Sequence, residues 1–287
     1  MDSVGRDGMT ERNPQRSVTL SACLAIRNAV RFDYPLRECL LAVAPVCEEI
    51  VVVFDPSGND TTIMVLENVK REIADFCDLR IEPVHWWSKE PKDGYSGGCI
   101  ADAQNLAIQI SKSEWFFVLQ ADEVMHENEA PLLRDIPDRN ECDLIELGHL
   151  HFWTSPERIM IDPNSEKRVR IGRRELFPNV KCLDDGSRIG GDGEYRVLSL
   201  VGLVDIRHYG NVRQPTALIY KQREMAQLYG WGEGDPRLER GLLTGEVNWN
   251  EYGRPTVERP HNKPHPKVAV KWLEMRKREV EKGTVKR

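Results

Sequence analysis

Three short polar clusters in this chain each follow an apolar run, and their residue types suit the handling of a polar, anionic ligand. The first is Arg27-Asn28, after Val18 to Ile26; the second is Asp55-Pro-Ser-Gly-Asn-Asp60, after Ile50 to Phe54. The third is Gln120-Ala121-Asp122-Glu123, closing the run Trp115 to Gln120. Carboxylates in such places can accept hydrogen bonds from a ligand, hold a hard cation or take up a proton. Further along, Asp184, Asp185, Asp192 and Glu194 supply acids in a stretch rich in Arg, Asp, Gly and Pro. His208 ends a strand-like run in Arg207-His208-Tyr209-Gly210.

These clusters act together only if the elements before them lie side by side. Val18 to Ile26 and Ile50 to Phe54 are short and rich in apolar residues, as buried parallel strands are. Between them Pro35 to Glu49 carries Leu36, Cys39, Leu40, Val43 and Val46 at helical spacing, with Pro35 suited to a first turn. Strand, helix, strand is the crossover unit of an open α/β sheet. The spacing continues with a helix over Thr61 to Phe76, a strand over Leu79 to Val84, a helix over Ile100 to Ser111 and a central strand from Trp115 to Gln120. In such a sheet ligands bind beyond the carboxyl ends of the strands, where all three clusters fall. After about Arg134 the pattern loosens. Leu144 to Trp153 and Val197 to His208 read as strands, Ser155 to Tyr195 as long functional loops, and Ala217 to Leu228 as a helix. The division expected is a flexible tail (1–16), a nucleotide-binding half (17–133), an acceptor and catalytic half (134–262) and a basic helical arm (263–287).

The motifs in order resemble family 2 glycosyltransferases of the GT-A type. Asp55-Pro-Ser-Gly-Asn-Asp60-Thr-Thr is similar to the D-D-G-S-x-D-x-T turn after that family's second strand. Ala103-Gln104-Asn105 is similar to its A-R-N, and Trp115 to Glu123 resembles its strand ending in D-x-D, with Gln120 in place of the first Asp and Gln104 in place of the Arg. The resemblance spans roughly residues 18 to 125. It implies an α/β fold with a mostly parallel central sheet, flanking helices and an irregular C-terminal acceptor part. It implies a nucleotide-sugar donor lined by Ala25, Arg27, Asn28, Asp55, Gly98, Asn105 and Ala121, with Asp55 facing the nucleoside. It also implies Mn²⁺ or Mg²⁺ at Asp122, with His208 either a further ligand or an ordinary structural histidine. A divalent ion on diphosphate oxygens stabilises the charge that develops as the donor departs. Transfer with inversion needs a base for the acceptor hydroxyl, and Asp192 in Gly190-Gly-Asp-Gly-Glu194 is preferred, followed by Asp185. The loop Gly94 to Gly98 either approaches the nucleotide closely or is an ordinary turn before a helix.

Composition narrows the rest. At 287 residues, with 40% apolar and 30% charged residues, the chain suits a globular α/β protein. A net charge of −6 gives no overall field for nucleic acid or anionic lipid. No apolar run approaches the roughly 20 residues that cross a bilayer, so a cytoplasmic location is expected. The seven cysteines stand singly, as free thiols do, and Cys23 and Cys99 sit in apolar or small-residue contexts typical of buried ones. The last stretch from Lys263 has nine Lys or Arg against three Glu, which suggests a solvated helix face or a contact with an anionic surface. His149 and His151 read as ordinary residues, and Trp153, Trp231 and Trp249 as core, loop anchors or acceptor-stacking rings. The acceptor stays open among a glycan, a lipid-linked precursor, a protein or a modified nucleic acid. Two other readings share the architecture. A nucleotidyltransferase would carry a Gly-rich basic loop after the first strand, where this chain has Arg27-Asn-Ala-Val-Arg31. A non-catalytic sugar-nucleotide or glycan-binding protein is kept open by Gln120.

Overall fold

The computed structural model describes residues 18–88, 97–134, 142–152, 155–161, 166–229, 236–244 and 257–284. Chain order runs β1 (Leu20–Ile26), α1 (Leu36–Val43), β2 (Glu49–Phe54), α2 (Thr62–Ile73), β3 (Asp78–Pro83), α3 (Gly98–Ile110), β4 (Trp115–Val118) and β5 (Glu123–Val124). It continues with β6 (Leu144–His151), β7 (Arg158–Ile161), β8 (Lys167–Arg173), β9 (Lys181–Leu183), β10 (Arg188–Gly190), β11 (Val197–Ser199) and β12 (Asp205–His208). Helices α4 (Pro215–Leu228) and α5 (Pro236–Thr244), strand β13 (Val257–Pro260) and helix α6 (Lys267–Thr284) complete it.

One sheet organises the molecule, in the order β3-β2-β1-β4-β8-β6-β12-β5, with β11 also on β6. Strands β3, β2, β1 and β4 are mutually parallel. Strand β8 is antiparallel to both β4 and β6, and β12 returns parallel to β6. The expected α/β class is borne out: a mostly parallel sheet flanked by helices, in keeping with the GT-A type. Strands from before and after residue 134 share this one sheet.

Alternation along each strand builds two cores. Leu20, Ala22, Leu24 and Ile26 of β1, with Ile50, Val52 and Phe54 of β2, meet Leu36, Leu40 and Val43 of α1 and Leu66, Val69 and Ile73 of α2. On the other face Cys23, Val51, Val53, Phe116 and Val118 meet Ala101, Ala103, Ala107 and Ile108 of α3. Because both faces are covered, the central strands read as continuous apolar runs. Each fully buried aliphatic side chain contributes about 1.5–3 kcal/mol. All seven cysteines are free, as their isolated positions suggested, and all are buried, not Cys23 and Cys99 alone.

Several expectations need correction. The helix read over Pro35 to Glu49 stops at Val43; a 3₁₀ turn at Ala44–Val46 carries Pro45, and Glu49 already belongs to β2. The strand read over Val197 to His208 is two strands, β11 and β12, broken by a turn with Gly202 at φ 83°. The stretch Ser155 to Tyr195 is not mainly loop. It supplies β7, β8 and the β9–β10 hairpin, and β8 sits inside the sheet. Its polar sequence hid this because Arg170 is a buried charged residue on β8, 1% exposed. Trp153, Trp231, Trp249 and most of the Gly94 to Gly98 loop lie outside the described residues.

The basic arm is a helix with one solvated face, on which Lys267, Lys271 and Lys277 are exposed, and one face docked on the body. Ala269, Trp272 and Leu273 of α6 join the core formed with α1 and β1. Arg276 stacks on the Trp272 ring, 5.2 Å from its centroid, and pairs with Asp33. Lys277 pairs with Glu157 at 3.2 Å, and the backbone N–H of Lys267 donates to Glu127 at the same distance. Part of the positive charge is therefore met by carboxylates of the body. Trp272→Ala should lower unfolding free energy by about 3–5 kcal/mol in urea titrations, the cost of a buried aromatic truncation. A change within about 0.5 kcal/mol, as at a solvated site, would contradict the docked arm.

Candidate functional site

Asp122 leaves the carboxyl end of β4 in the turn that leads to β5. The residue is 3% exposed. Strand β5 pairs antiparallel with β12, setting His208 opposite Glu123 and Arg207 opposite Val124. The Tyr209 N–H then donates to the Asp122 backbone carbonyl at 2.8 Å. This register brings a residue 86 positions later in the chain against Asp122: His208 Nε2 lies 3.4 Å from Asp122 Oδ2. Gly210 lets the ring lie there, since a Cβ at that position would stand 2.3 Å from His208 Cε1.

Two cations contact the same carboxylate oxygen. Arg213 Nη2 donates to it at 3.1 Å and Lys221 Nζ, from α4, at 3.4 Å. Arg213 also donates to the Phe32 carbonyl at 2.7 Å and lies over the Tyr34 ring. Burial pushes the Asp122 carboxyl up, but His208, Lys221 and Arg213 outweigh it and hold the group well below the usual carboxylate range. Burial and the neighbouring Arg213 depress the Lys221 ammonium to about 8, with Asp122 opposing them.

Behind Asp122 lies a second charged layer. Glu123 and Arg170, 0% and 1% exposed, form an ion pair, and His149 Nε2 is 3.3 Å from Glu123 Oε1. Burial raises the Glu123 carboxyl, yet Arg170 and His149 bring it below its ordinary value. Desolvation pushes the His149 imidazole down to about 4 and the His151 ring well below its usual value. His149 stacks on His208, centroids 5.1 Å apart, and His151 Nδ1 is 3.1 Å from His208 Nδ1. The parallel register places His151 opposite His208 on β12. His149 and His151, read as ordinary in the sequence, both pack in the shell around His208. Their alternation on one strand was the signal available.

The other motif residues meet at the same sheet edge. Asp55, 0% exposed, accepts backbone N–H groups from Ser57 at 2.8 Å, Trp86 at 3.1 Å and Trp87 at 2.6 Å. Burial raises its carboxyl, but these donors bring it below its ordinary value. Its carboxylate ties the loop after β2 to the loop after β3. Arg27, beyond Ala25 on β1, stacks on Trp87 at 4.6 Å and forms an ion pair with Glu224 of α4. Asn28, at φ 51°, donates to Glu224 at 3.2 Å. Asparagine tolerates this left-handed backbone. Asn105 of α3, the helix that Gly98 opens, clasps the Cys182 backbone: Nδ2 donates to its carbonyl at 3.1 Å and Oδ1 accepts its N–H at 2.7 Å. Gln104 donates to the Leu119 carbonyl at 3.2 Å, immediately before Gln120-Ala121-Asp122.

The downstream acids separate. Asp185 is half-buried in the β9–β10 turn, accepts the Tyr229 hydroxyl at 3.0 Å and lies close enough to raise the pKa of Lys221. Asp184 pairs with Arg188. Asp192 and Glu194 are exposed. Arg170, Arg213, Lys221 and Glu224 went unnoticed in the sequence, because single charged residues in mixed polar contexts carry no spacing signal. Among the described residues no group of three or more His, Cys, Asp or Glu forms a metal cage. Asp122 Oδ2 and His208 Nε2 remain an oxygen–nitrogen pair at the spacing of neighbouring ligands on a small dication, and Mg²⁺ commonly takes few protein ligands and completes its shell with phosphate and water. The pair fits a divalent ion in that restricted sense.

No protein-family model matches the chain, and no curated protein matches it. Solved structures similar to it include S. aureus TarS 1-349 in complex with UDP, at 16% identity over 83% of this chain and 72% of that one, with a TM-score of 0.39. M. tuberculosis glucosyl-3-phosphoglycerate synthase is similar at 10% identity over 74% and 81%, TM-score 0.40. The mannosyltransferase PcManGT from Pyrobaculum calidifontis, in complex with GDP-Man and Mn²⁺, is similar at 13% identity over 98% and 90%, TM-score 0.42. Likenesses this loose decide nothing about donor, metal or activity. No described helix is long and apolar enough to cross a membrane.

The Glu123–Arg170 pair makes a pH-dependent contribution of definite sign. A carboxyl lowered in the folded state stabilises above its unfolded value near 4.5, and that stability is lost as pH falls through the folded value. Glu123→Gln, which strands a buried guanidinium, should cost about 3–5 kcal/mol at pH 7. Urea titrations should show the gap from wild type narrowing once pH falls below about 4.5. A gap that stays constant with pH would remove the charge from the account.

Proposed function

We propose that this chain is a glycosyltransferase that moves a sugar from a nucleoside-diphosphate donor to an acceptor hydroxyl, with inversion. The observation that carries the reading is the buried Asp122 carboxylate, beyond the carboxyl end of β4, contacted by His208, Arg213 and Lys221. Ligands of open α/β sheets bind at that edge. The order of the Asp55, Asn105 and Asp122 motifs supports a nucleotide sugar there. A hexosyl group is the donor class in view.

Each motif residue then has a role. Asp55 acts through the Trp86–Trp87 backbone, shaping the wall where a nucleoside would lie, with Arg27 stacked on Trp87. Ala25, Ala121 and Gly98 are small and allow close approach, and Asn28 and Asn105 hold the surrounding loops. Asp122 and His208 would hold a Mn²⁺ or Mg²⁺ ion. That ion, when bound, supplies electrostatic stabilisation of the departing diphosphate.

Of the downstream acids, Asp185 is the better candidate base than Asp192. It stands beside Lys221 and is oriented by Tyr229, whereas Asp192 is exposed in a bend. In the transfer, the acceptor oxygen forms a bond to the anomeric carbon as the bond to the diphosphate oxygen breaks. The electron pair leaves with the diphosphate, and the acceptor proton passes to Asp185.

Asp122→Asn should abolish transfer in protein whose melting curve shows it folded, assayed as release of nucleoside diphosphate across a panel of nucleotide sugars with Mn²⁺ or Mg²⁺. Retained full activity would remove Asp122 from the chemistry. Asp185→Asn should cut turnover by roughly 10²–10⁴ with donor affinity nearly unchanged, while Asp192→Asn stays close to wild type. The reverse pattern would move the base to Asp192.

A further inference from the structure

Lys221 and Arg213 stand out once the role of Asp122 is granted. The Lys221 side chain is only 18% exposed, and that of Arg213 is fully buried. Both donate to one oxygen of one carboxylate. Lys221 spends its remaining described contacts on the Gly210 carbonyl at 3.3 Å and the face of Tyr34 at 5.3 Å. Arg213 faces the same ring at 4.5 Å. Of the other nearby carboxylates, Glu224 is paired with Arg27, and Asp185 accepts from Tyr229.

At hydrogen-bond range two cations share a single carboxylate, and Asp185, farther off, offsets Lys221 only in part, so a surplus of positive charge stays in a poorly solvated place. Burying such a surplus is costly, and an anion of two or more charges would offset it. The surplus sits at the sheet edge, beyond the end of β4. An ammonium on a flexible stem suits a phosphate oxygen as a point charge, and the neighbouring guanidinium fixes the carboxylate and the aromatic wall.

We propose that Lys221, steadied by Arg213 and Asp122, is the residue that grips the terminal phosphate of a nucleoside diphosphate. The assignment rests on the nucleotide-sugar reading and gives it a specific consequence. Recognition of the diphosphate over the monophosphate belongs to α4, not only to a metal ion. Arg213 is a positioning residue, held by the Phe32 carbonyl, and Lys221 is the contact.

The test is calorimetric binding of UDP, UMP, GDP and GMP to the full chain, in EDTA and with Mn²⁺. Wild type should bind one diphosphate more tightly than its monophosphate. Lys221→Met should weaken that diphosphate by about tenfold or more in both conditions, the loss of a charge-assisted bond, and change the monophosphate by less than about twofold. Lys221→Arg should recover part of the difference. Melting temperatures near that of wild type would show that the variants fold; where Lys221→Met does not fold, the diphosphate-to-monophosphate ratio of Lys221→Arg carries the test, and a wild-type ratio there overturns the grip. Equal loss for both nucleotides, or no loss for the diphosphate, also overturns it while leaving the nucleotide reading in place. If wild type binds none of the four, nor ADP, CDP or dTDP, the nucleotide-sugar reading itself falls.

Discussion

Burying the Asp122 carboxylate is the constraint on which the C-terminal half of this molecule depends. A carboxylate 3% exposed at the end of a central strand must be neutralised by cations or be protonated. Its partners arrive from three separate places: His208 from β12, Arg213 from the following turn and Lys221 from α4. None of them reaches Asp122 unless β12 has joined the sheet and α4 has closed over its edge. The hydrogen bond from the Tyr209 N–H to the Asp122 carbonyl fixes the same approach through the backbone.

The Glu123–Arg170 pair imposes a matching constraint at the adjacent residue. Arg170 comes from β8, the strand that runs antiparallel between β4 and β6. A buried ion pair of this kind adds little net stability over an apolar pair, but a wrong register of β8 would strand both charges. Gly186 in the β9–β10 turn lies against Gln104, at a φ of 82° that glycine adopts without strain. Gln104 in turn reaches the Leu119 carbonyl. Thus α3, the hairpin and the strand end that carries Asp122 are tied together by polar contacts, not by apolar packing alone.

This arrangement changes what the motif residues do. Asp55 and Asn105 satisfy backbone groups of neighbouring loops. Arg27 and Asn28 meet Glu224. The polar residues at the strand ends therefore shape the edge of the sheet first, and the charged centre at Asp122 occupies the middle of what they shape. The cluster of His149, His151 and His208 extends that centre along β6 and β12.

Residue types and their spacing were enough to establish the parallel strands β1, β2 and β4 and the helices between them. Strands buried on both faces must be apolar throughout, and Val51, Val52 and Val53 or Phe116 and Phe117 can take no other place. The same pattern put Arg27, Asp55 and Asp122 at one edge, since parallel strands end on the same side. The entry of β8 into the sheet emerges only in the folded chain, because the charge of Arg170 is masked by a partner 47 residues earlier. The same holds for the cations around Asp122 and for the docking of α6. Ion pairs form between residues far apart in the chain, and no local period records which carboxylate a given lysine or arginine will meet.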